Sequence, residues 1–198
     1  MTAKIKLNAA SGGGSFSLQA PSSSSNNRVI TLPDIADGTL LTSSSTTGKI
    51  LQVVQTAKTS ETSSTSTSYT DLTGLSASIT TQTNSKVLVI VEIQTYIDYG
   101  THASGEGYGI QIVRTPSGGS DTNIHTSGNK YDSYGYTDSS SAIQASFRSN
   151  WHYLDSSPGG DGSTAITYKV QVGQYTTSLI RYSQDGNLST ITLMEIGA

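Results

Sequence analysis

The sequence contains no cysteine and little charge, and both shortages restrict what the protein can be. Zero cysteines exclude disulfides, thiolate metal sites and cysteine nucleophiles. Charged residues make up 13% of the chain, about half of the roughly 25% that is usual in soluble domains. The formal net charge of −3 provides no basic field for nucleic acid. Small polar residues and glycine replace the charges, a composition typical of short strands joined by polar turns.

Long apolar segments are also missing. No apolar stretch reaches the roughly 18 residues of a membrane-spanning helix, and no segment has helical periodicity. The N-terminus, MTAKIKLNAASGGG, lacks the apolar core of a signal peptide. We therefore expect synthesis in a cytoplasm, with cell lysis as one route of release.

The longest apolar run, KVLVIVEIQTYI at residues 86–97, predicts the central strand of the fold. Its β-branched residues favour a strand over a helix. Alternate valines and Ile93 fall on one face, while Leu88 and Ile90 fall on the other. Because both faces are apolar at the start of the strand, we expect both to be covered, one by the second sheet of a sandwich and the other by a neighbouring subunit. From Glu92 onward one face turns polar, so the second cover should end there.

Seven other segments after residue 48 have the apolar alternation of strands. They are residues 48–56, 69–80, 108–115, 143–154, 164–175, 179–182 and 189–196. Residues 61–68 and 100–107 are predicted to be connections. Residues 116–142 are predicted to be a long polar loop, and residues 184–187 a hairpin turn. About eight strands without helices predict an all-β protein, an antiparallel β-sandwich of the jelly-roll type over residues 46–198.

Residues 1–45 have a different pattern. Short apolar-alternating pieces at residues 4–7, 15–18, 28–32 and 39–41 are separated by turn-forming sequences rich in Gly, Ser, Pro and Asp. One copy cannot bury enough apolar surface to offset the entropy of ordering this segment. It is therefore a flexible arm, a segment that winds with other copies, or a docking segment on a partner. The recurring apolar pairs favour the two assembly interpretations.

No pattern in the sequence predicts an active site. His102, His125 and His152 lie far apart, and none has the spacing of a metal ligand. The glycine-rich residues 105–109 precede a strand, so they cannot place a phosphate at a helix N-terminus. Glu92 is interpreted as a paired structural residue at a rim or a subunit contact. We expect no catalytic, cofactor or metal site.

One polar segment combines tyrosine with serine, glycine and aspartate, as YDSYGY. This mixture is typical of adaptable recognition surfaces, because tyrosine offers a large contact area at a small entropic cost. The alternative is that these tyrosines pack the loop onto the sandwich or fill a subunit interface, and packing is the commoner role. The candidate contacts to a host glycan are Tyr131, Asp132, Tyr134 and Tyr136.

Two parts of the chain resemble one family. Residues 4–43 resemble the N-terminal segment of virion proteins from marine and cyanobacterial tailed phages, most clearly at GGGSFSL, QAP, LPD and DGT. The segments GKILQVVQT, SYTDLTGLSASIT, SKVLVIVEI, TAITYKVQV and STITLMEIGA resemble the domain that often follows.

The resemblance implies a homotrimer on the surface of a virion. Its C-terminal domains would be jelly rolls similar to those of the TNF and C1q type, with the N-terminal segments intertwined on the three-fold axis. Residues 1–45 would be the anchoring and trimerisation arm. The candidate anchor residues are Ile5, Leu7, Phe16, Leu18, Val29 and Leu32. The candidate trimer interface consists of Leu88, Ile90, Met194 and Ile196.

We therefore expect a non-enzymatic structural protein of a tailed-phage virion. A tail-fibre or receptor-binding role is the first hypothesis, and a capsid decoration, cement or head-fibre role is the alternative. A glycan depolymerase with an acidic site between subunits is less favoured. A cellular C1q-like or lectin module is disfavoured by the missing signal peptide and cysteines. The expected partners are the protein itself, other virion proteins and host surface glycans, without cofactor, nucleic acid or membrane insertion.

Overall fold

The computed structural model describes residues 4–8, 10–19, 23, 50–99, 104–137 and 144–197. The chain divides into two compact units, Met1–Thr42 and Ser43–Ala198. The strands predicted at residues 28–32 and 39–41, with Val29 and Leu32, lie outside the described residues.

The first unit contains an antiparallel hairpin of β1 (Lys4–Asn8) and β2 (Ser15–Gln19). Ile5 lies opposite Leu18, and Leu7 lies opposite Phe16. The four predicted anchor positions therefore form two cross-strand pairs in one phase of the strand alternation. The side chains of Ile5 and Leu7 are 64% and 59% exposed. The hairpin thus leaves apolar surface uncovered.

The second unit is a β-sandwich of two antiparallel sheets, which confirms the predicted all-β fold. In chain order, its strands are β3 (Ile50–Lys58), β4 (Thr62–Ser64), β5 (Thr70–Ile79), β6 (Lys86–Asp98), β7 (Ser104–Pro116), β8 (Thr122–Thr126), β9 (Ser133–Thr137), β10 (Gln144–Asp155), β11 (Ile166–Gln174), β12 (Ile180–Tyr182) and β13 (Ser189–Ile196). No helix within the described ranges is long and apolar enough to cross a membrane.

The first sheet has the order β3-β13-β6-β10, and β4 and β12 extend it beside the second half of β6. The second sheet has the order β5-β11-β7, and β8 and β9 both pair with the free side of β7. The chain crosses between the sheets after β4, β5, β6, β9, β10 and β11. This is the connectivity of a jelly roll.

Strand β6 supplies the centre of the core, as its alternation predicts. Its valines and Ile93 are fully buried and pack against the second sheet, whose buried members include Leu75, Ile110 and Val170. Each such side chain contributes roughly 1.5–3 kcal/mol through burial. Leu88 and Ile90 lie on the opposite face and are only half-buried. The sandwich thus covers one face of β6 and leaves the other partly open.

Three predicted connections contain strands. Residues 61–68 include β4, and residues 104–107 begin β7. The predicted long loop holds β8, a short 3₁₀ helix (Gly128–Lys130) and β9. These strands escape sequence analysis because they are short or carry glycine and polar residues instead of an apolar alternation.

The predicted hairpin at residues 184–187 is wrong. β12 and β13 do not pair with each other, because both pair with the same side of β6. The residues between them include a 3₁₀ turn (Gln184–Gly186), and Ser183 and Asp185 have positive φ angles of 54°. These left-handed residues displace the chain and return it to the edge of β6.

A buried ion pair links the second sheet to the end of β10. Nη1 of Arg114 lies 3.0 and 2.9 Å from the two carboxylate oxygens of Asp155, which is 5% exposed. The hydroxyl of Tyr168 donates to the same carboxylate at 2.8 Å. The backbone N–H of Ser157 donates to it at 3.2 Å. Three donor groups from three segments therefore make four hydrogen bonds to one carboxylate.

Because three tyrosines are buried in the core, we expect the fold to be lost at alkaline pH. Burial raises the pKa of Tyr108 to about 12, and burial also raises the pKa values of Tyr168 and Tyr182 above their ordinary range. Above pH ~10 the unfolded chain loses these protons while the native state keeps them, so stability falls as pH rises. Three such groups together remove up to about 4 kcal/mol per pH unit. Circular dichroism and tyrosinate absorbance recorded along one titration would measure this.

The matched variant is Tyr108→Phe, which removes one of the three protons. Its stability should decline with pH about one third less steeply than that of the natural chain. Ionisation of all 11 tyrosines near pH ~10 with native circular dichroism unchanged would contradict the prediction.

Candidate recognition surface

The outer face of the first sheet is apolar at one end. Val53, Met194, Leu88 and Leu154 occupy adjacent positions on four neighbouring strands and form a continuous row. Val53 is 56% exposed and Leu154 is 47% exposed. We call the whole set the apolar face; its members are Ile50, Val53, Leu88, Ile90, Leu154, Met194 and Ile196. All four residues predicted at a trimer interface lie on it.

The apolar face ends near Glu92, where the sequence predicts the change. Glu92 forms an ion pair with Arg148, which confirms its interpretation as a paired residue. Arg148 also donates to the carbonyl oxygen of Leu188 at 3.0 Å. Beyond this pair, the outer face carries polar residues such as Tyr96 and Asp98.

The outer face of the second sheet is polar. Lys169 lies 3.2 Å from Asp71 and 2.8 Å from Asp121, and these hydrogen bonds raise the pKa of its ammonium group, with Asp121 the larger cause. Ser78 and Thr167 are 2.8 Å apart across two strands. Such a face is compatible with exposure to solvent. The two outer faces of the sandwich therefore differ, because that of the first sheet is apolar at one end and that of the second sheet is polar.

Three exposed tyrosines form a cluster beside the second sheet. The ring centroids of Tyr131 and Tyr134 lie 4.6 Å apart, and each lies 5.3 Å from that of Tyr175. Their exposed fractions are 49%, 42% and 43%. The hydrogen bond with Tyr175 raises the pKa of Tyr131. We call these three the tyrosine cluster, and nearby Tyr136 is 62% exposed.

Tyr175 has no signal in the sequence that links it to the other two. It follows β11, some forty residues along the chain, and reaches the cluster because its N–H donates to the carbonyl of Gly107 at 2.9 Å. Only the pairing of β11 with β7 brings it there. The fourth predicted contact, Asp132, holds the loop, because its Oδ2 accepts from the N–H of Ile110 at 2.8 Å and from the hydroxyl of Ser127.

A stripe of glycines supports the tyrosine cluster. Gly105, Gly107 and Gly109 alternate along β7, on the side where side chains and backbone of the loop and β9 come closest to its backbone. A Cβ at Gly105 would overlap the hydroxyl of Tyr134, and one at Gly109 would lie 2.7 Å from the Cα of Lys130. This explains the motif GEGYG, which the sequence predicts to be part of a connection: glycine is required here for close approach.

Adding a methyl group to the stripe should therefore displace β9. In Gly107→Ala the new Cβ would overlap the carbonyl oxygen of Ser133, a backbone atom that cannot rotate away. We expect a loss of about 1–3 kcal/mol of stability and faster proteolysis within residues 127–137. The matched control is Gly128→Ala, where nothing lies within 4 Å of the new Cβ. Equal behaviour of the two variants would show that the stripe does not hold the loop.

A pocket of about 340 Å³ opens at the end of the sandwich that carries the tyrosine cluster. Its lining residues are Tyr96, Asp98, Tyr99, Glu106, Ser178, Leu179 and Arg181. Glu106 is 5% exposed, and it accepts a hydrogen bond from the hydroxyl of Thr176. Asp98 accepts from Gln144 at 3.3 Å. We call this the end pocket.

These features divide between the two ends of the sandwich. The first strand of the sandwich starts at Ile50, which pairs with Ile196 on β13. Ile196 also pairs with Lys86, the first residue of β6. The apolar face occupies this end. The tyrosine cluster and the end pocket lie where β6 finishes, since β9 pairs with the first residues of β7. The 13 residues of β6 separate the ends by about 40 Å.

The described histidines do not converge. The ring of His125 lies 5.9 Å from that of Tyr153, whereas His152 is exposed on the outer face of the first sheet. His102 lies outside the described residues. Within the part of the chain that the structure describes, no group of three or more His, Cys, Asp or Glu residues is placed to hold a metal ion.

Comparison with known proteins finds only distant structural likeness. No family model and no curated protein matches the sequence. The chain is similar over 94% of its length to the structure of infectious bursal disease virus Gx strain, with 14% identity and a TM-score of 0.31. The corresponding values for the Gt strain are 94%, 12% and 0.33. The chain covers 47% and 48% of those two chains. Scores this low identify neither a family nor a function.

Proposed function

We propose that this protein is a non-enzymatic structural protein of a tailed-phage virion. It is a trimeric surface appendage of the tail-fibre or receptor-binding type, anchored by residues 1–45. The observation that carries the proposal is that the two ends of the sandwich bear different surfaces. The first strand of the sandwich starts at the end that bears the apolar face, and the exposed aromatic surface lies about 40 Å away along β6.

The apolar face supports self-association. Seven apolar side chains remain partly or largely exposed on it, while the outer face of the second sheet carries hydrogen-bonded polar groups. Contiguous exposed apolar surface of this kind marks an interaction site. Two other copies of the chain would cover it in a closed cyclic trimer. Leu88, Ile90, Met194 and Ile196 are its proposed centre.

The tyrosine cluster supports recognition. Exposed tyrosines offer broad amphipathic faces with few rotatable bonds, and three of them are held in contact by the loop and the glycine stripe. Tyr131, Tyr134 and Tyr136 would contact a host surface glycan, with Asp132 fixing the loop. The assignment to a phage virion itself is supported by the resemblance of residues 4–43 to the N-terminal segments of such proteins.

The arm can be tested by deletion. The chain without residues 1–45 should fold, because every strand of the sandwich lies beyond them, but it should no longer join the particle. Incorporation is measured by western blot of purified virions, with circular dichroism as the control for folding. Retention of the truncated chain in virions would refute the anchoring role.

The virion role itself is tested by antibody labelling of intact particles, viewed by electron microscopy. Label at the tail is the expected result. Label spread around the head would replace the fibre role with capsid decoration or a head fibre. Absence of label from particles, with the protein found only in the lysate, would overturn the proposal.

A further inference from the structure

We propose that the end pocket binds one neutral sugar ring through its hydroxyl groups. The proposal deepens the glycan recognition proposed above and rests on it. It assigns the terminal residue of the glycan to the end pocket and the preceding part of the glycan to the tyrosine cluster.

The size of the pocket fits one ring. Its volume of about 340 Å³ lies at the lower end of the 300–1,000 Å³ found for ligand pockets in general. The walls come from the end of β6, the start of β7 and the segment after β11. The side chain of Leu179, which is 42% exposed, provides apolar surface for the face of a pyranose.

The polar groups of the pocket suit a polyol. Asp98 and Glu106 provide carboxylate oxygens, each able to accept several hydrogen bonds, and Arg181 and Ser178 provide donors. Neighbouring sugar hydroxyls both donate and accept, so they satisfy a mixed set of this kind. Bonds that involve a charged partner are about twice as strong as neutral ones.

The charged groups are already held in place. Thr176 donates to the carboxylate of Glu106, and Gln144 donates to that of Asp98. The guanidinium of Arg181 lies 5.6 Å from the ring centroid of Tyr96, and its Nε lies 3.8 Å from Glu61. A site whose polar groups are fixed before binding loses less entropy when the ligand arrives.

The same groups disfavour charged ligands. Asp98 and Glu106 in the lining and Glu61 beside Arg181 give three carboxylates against one guanidinium, so the site is net negative and disfavours phosphates and acidic sugars. An ammonium group would approach Arg181, which already covers the ring of Tyr96. A neutral hexose meets neither obstacle.

The pocket and the tyrosine cluster share one segment. Tyr175 belongs to the cluster, Thr176 bonds to Glu106, and Ser178 and Leu179 line the pocket. Strand β9 also runs beside both, since a Cβ at Gly135 would lie 2.6 Å from the hydroxyl of Tyr99, which lines the pocket, and the preceding residue is Tyr134 of the cluster. A glycan chain that lies on the cluster can therefore place its last ring in the pocket.

The test uses the full chain and the methyl glycosides of glucose, galactose and mannose, with glucosamine and glucuronate as charged probes. Binding is measured by saturation-transfer NMR and titration calorimetry. At least one neutral glycoside should bind more tightly than either charged probe. Asp98→Asn and Arg181→Gln should each weaken it roughly ten- to hundredfold. Asp71→Asn, the same change on the outer face of the second sheet, should leave it unchanged, and circular dichroism confirms that each variant folds.

Each alternative result overturns the inference. Binding that is unaffected by both pocket variants would place the sugar elsewhere, and tighter binding of a charged probe would contradict the ligand class. The variant Tyr131→Ala separates this inference from the proposed function. If it abolishes adsorption to host cells while no free sugar binds the chain, the recognition role stands and the pocket assignment is wrong. If neutral glycosides bind in the pocket and Tyr131→Ala has no effect on adsorption, the pocket stands and the cluster is not part of the receptor site.

Discussion

Replacing Leu88 and Ile90 together with aspartate should leave a folded chain that no longer self-associates. Both side chains lie on the apolar face, outside the sandwich core, so the core packing is kept. Each substitution removes roughly 1.5–3 kcal/mol of apolar burial from the proposed trimer interface. Each also forces a carboxylate to be buried without a partner if the interface forms. Sedimentation velocity should show a monomer in place of a trimer.

The matched control places two aspartates on the other sheet, in Thr73→Asp with Ser76→Asp. Both positions are exposed on β5, so this variant should keep the oligomeric state of the natural chain. A trimer in both double variants would show that the apolar face is not the interface. If circular dichroism shows that the Leu88 and Ile90 double variant is unfolded, these residues belong to the core. That result would contradict their assignment to an interface outside the core.

The second large effect is expected at the buried ion pair. Asp155→Asn keeps the size of the side chain but removes the counter-charge of Arg114, whose side chain is 19% exposed. Breaking one partner of a buried pair costs about 3–5 kcal/mol, because the remaining charge is left uncompensated. For a domain of this size that corresponds to a fall in melting temperature of roughly 6–20 °C. Differential scanning calorimetry measures it.

Two further variants calibrate this result. Tyr168→Phe removes a single hydrogen bond to Asp155 and should cost about 1–2 kcal/mol. Asp71→Asn breaks an exposed pair with Lys169 and should cost less than about 1 kcal/mol. If Asp155→Asn destabilised the chain no more than Asp71→Asn, the pair would not hold the sheets together.

The parts of the fold that sequence analysis predicts are those in which one face of a strand is buried. The alternation runs through all of β13 and the first half or more of β6 and β11, because each of these strands lies between two neighbours and covers the core. β8 and β9 are edge segments with few apolar residues, so the same signal is weak there. The residues QDGN resemble a hairpin turn locally, and only the pairing of β12 with β6 reveals a different course.

The recognition surface was predictable only in part. Tyr131 and Tyr134 stand together in the sequence, and their composition alone marks the loop. Tyr175 joins them through strand pairing, and the end pocket draws residues from β6, β7 and the segment around β12. Side chains that meet only through tertiary structure leave no local pattern. The prediction of a connection at the glycine stripe is wrong for a related reason, because glycine at a close backbone approach has the same sequence signal as glycine in a turn.

The place of β13 between β3 and β6 also affects when the protein can fold. β3 is made first among the strands of the sandwich, and its ladder partner β13 is made last. At typical rates of roughly 5–20 residues per second, β3 waits on the order of ten seconds on the ribosome before that partner emerges. β6, the most apolar strand, is likewise made before both of its long partners, β10 and then β13. Nascent chains on one polysome are then exposed to each other, so chaperone binding to β6 during translation would favour correct folding over aggregation.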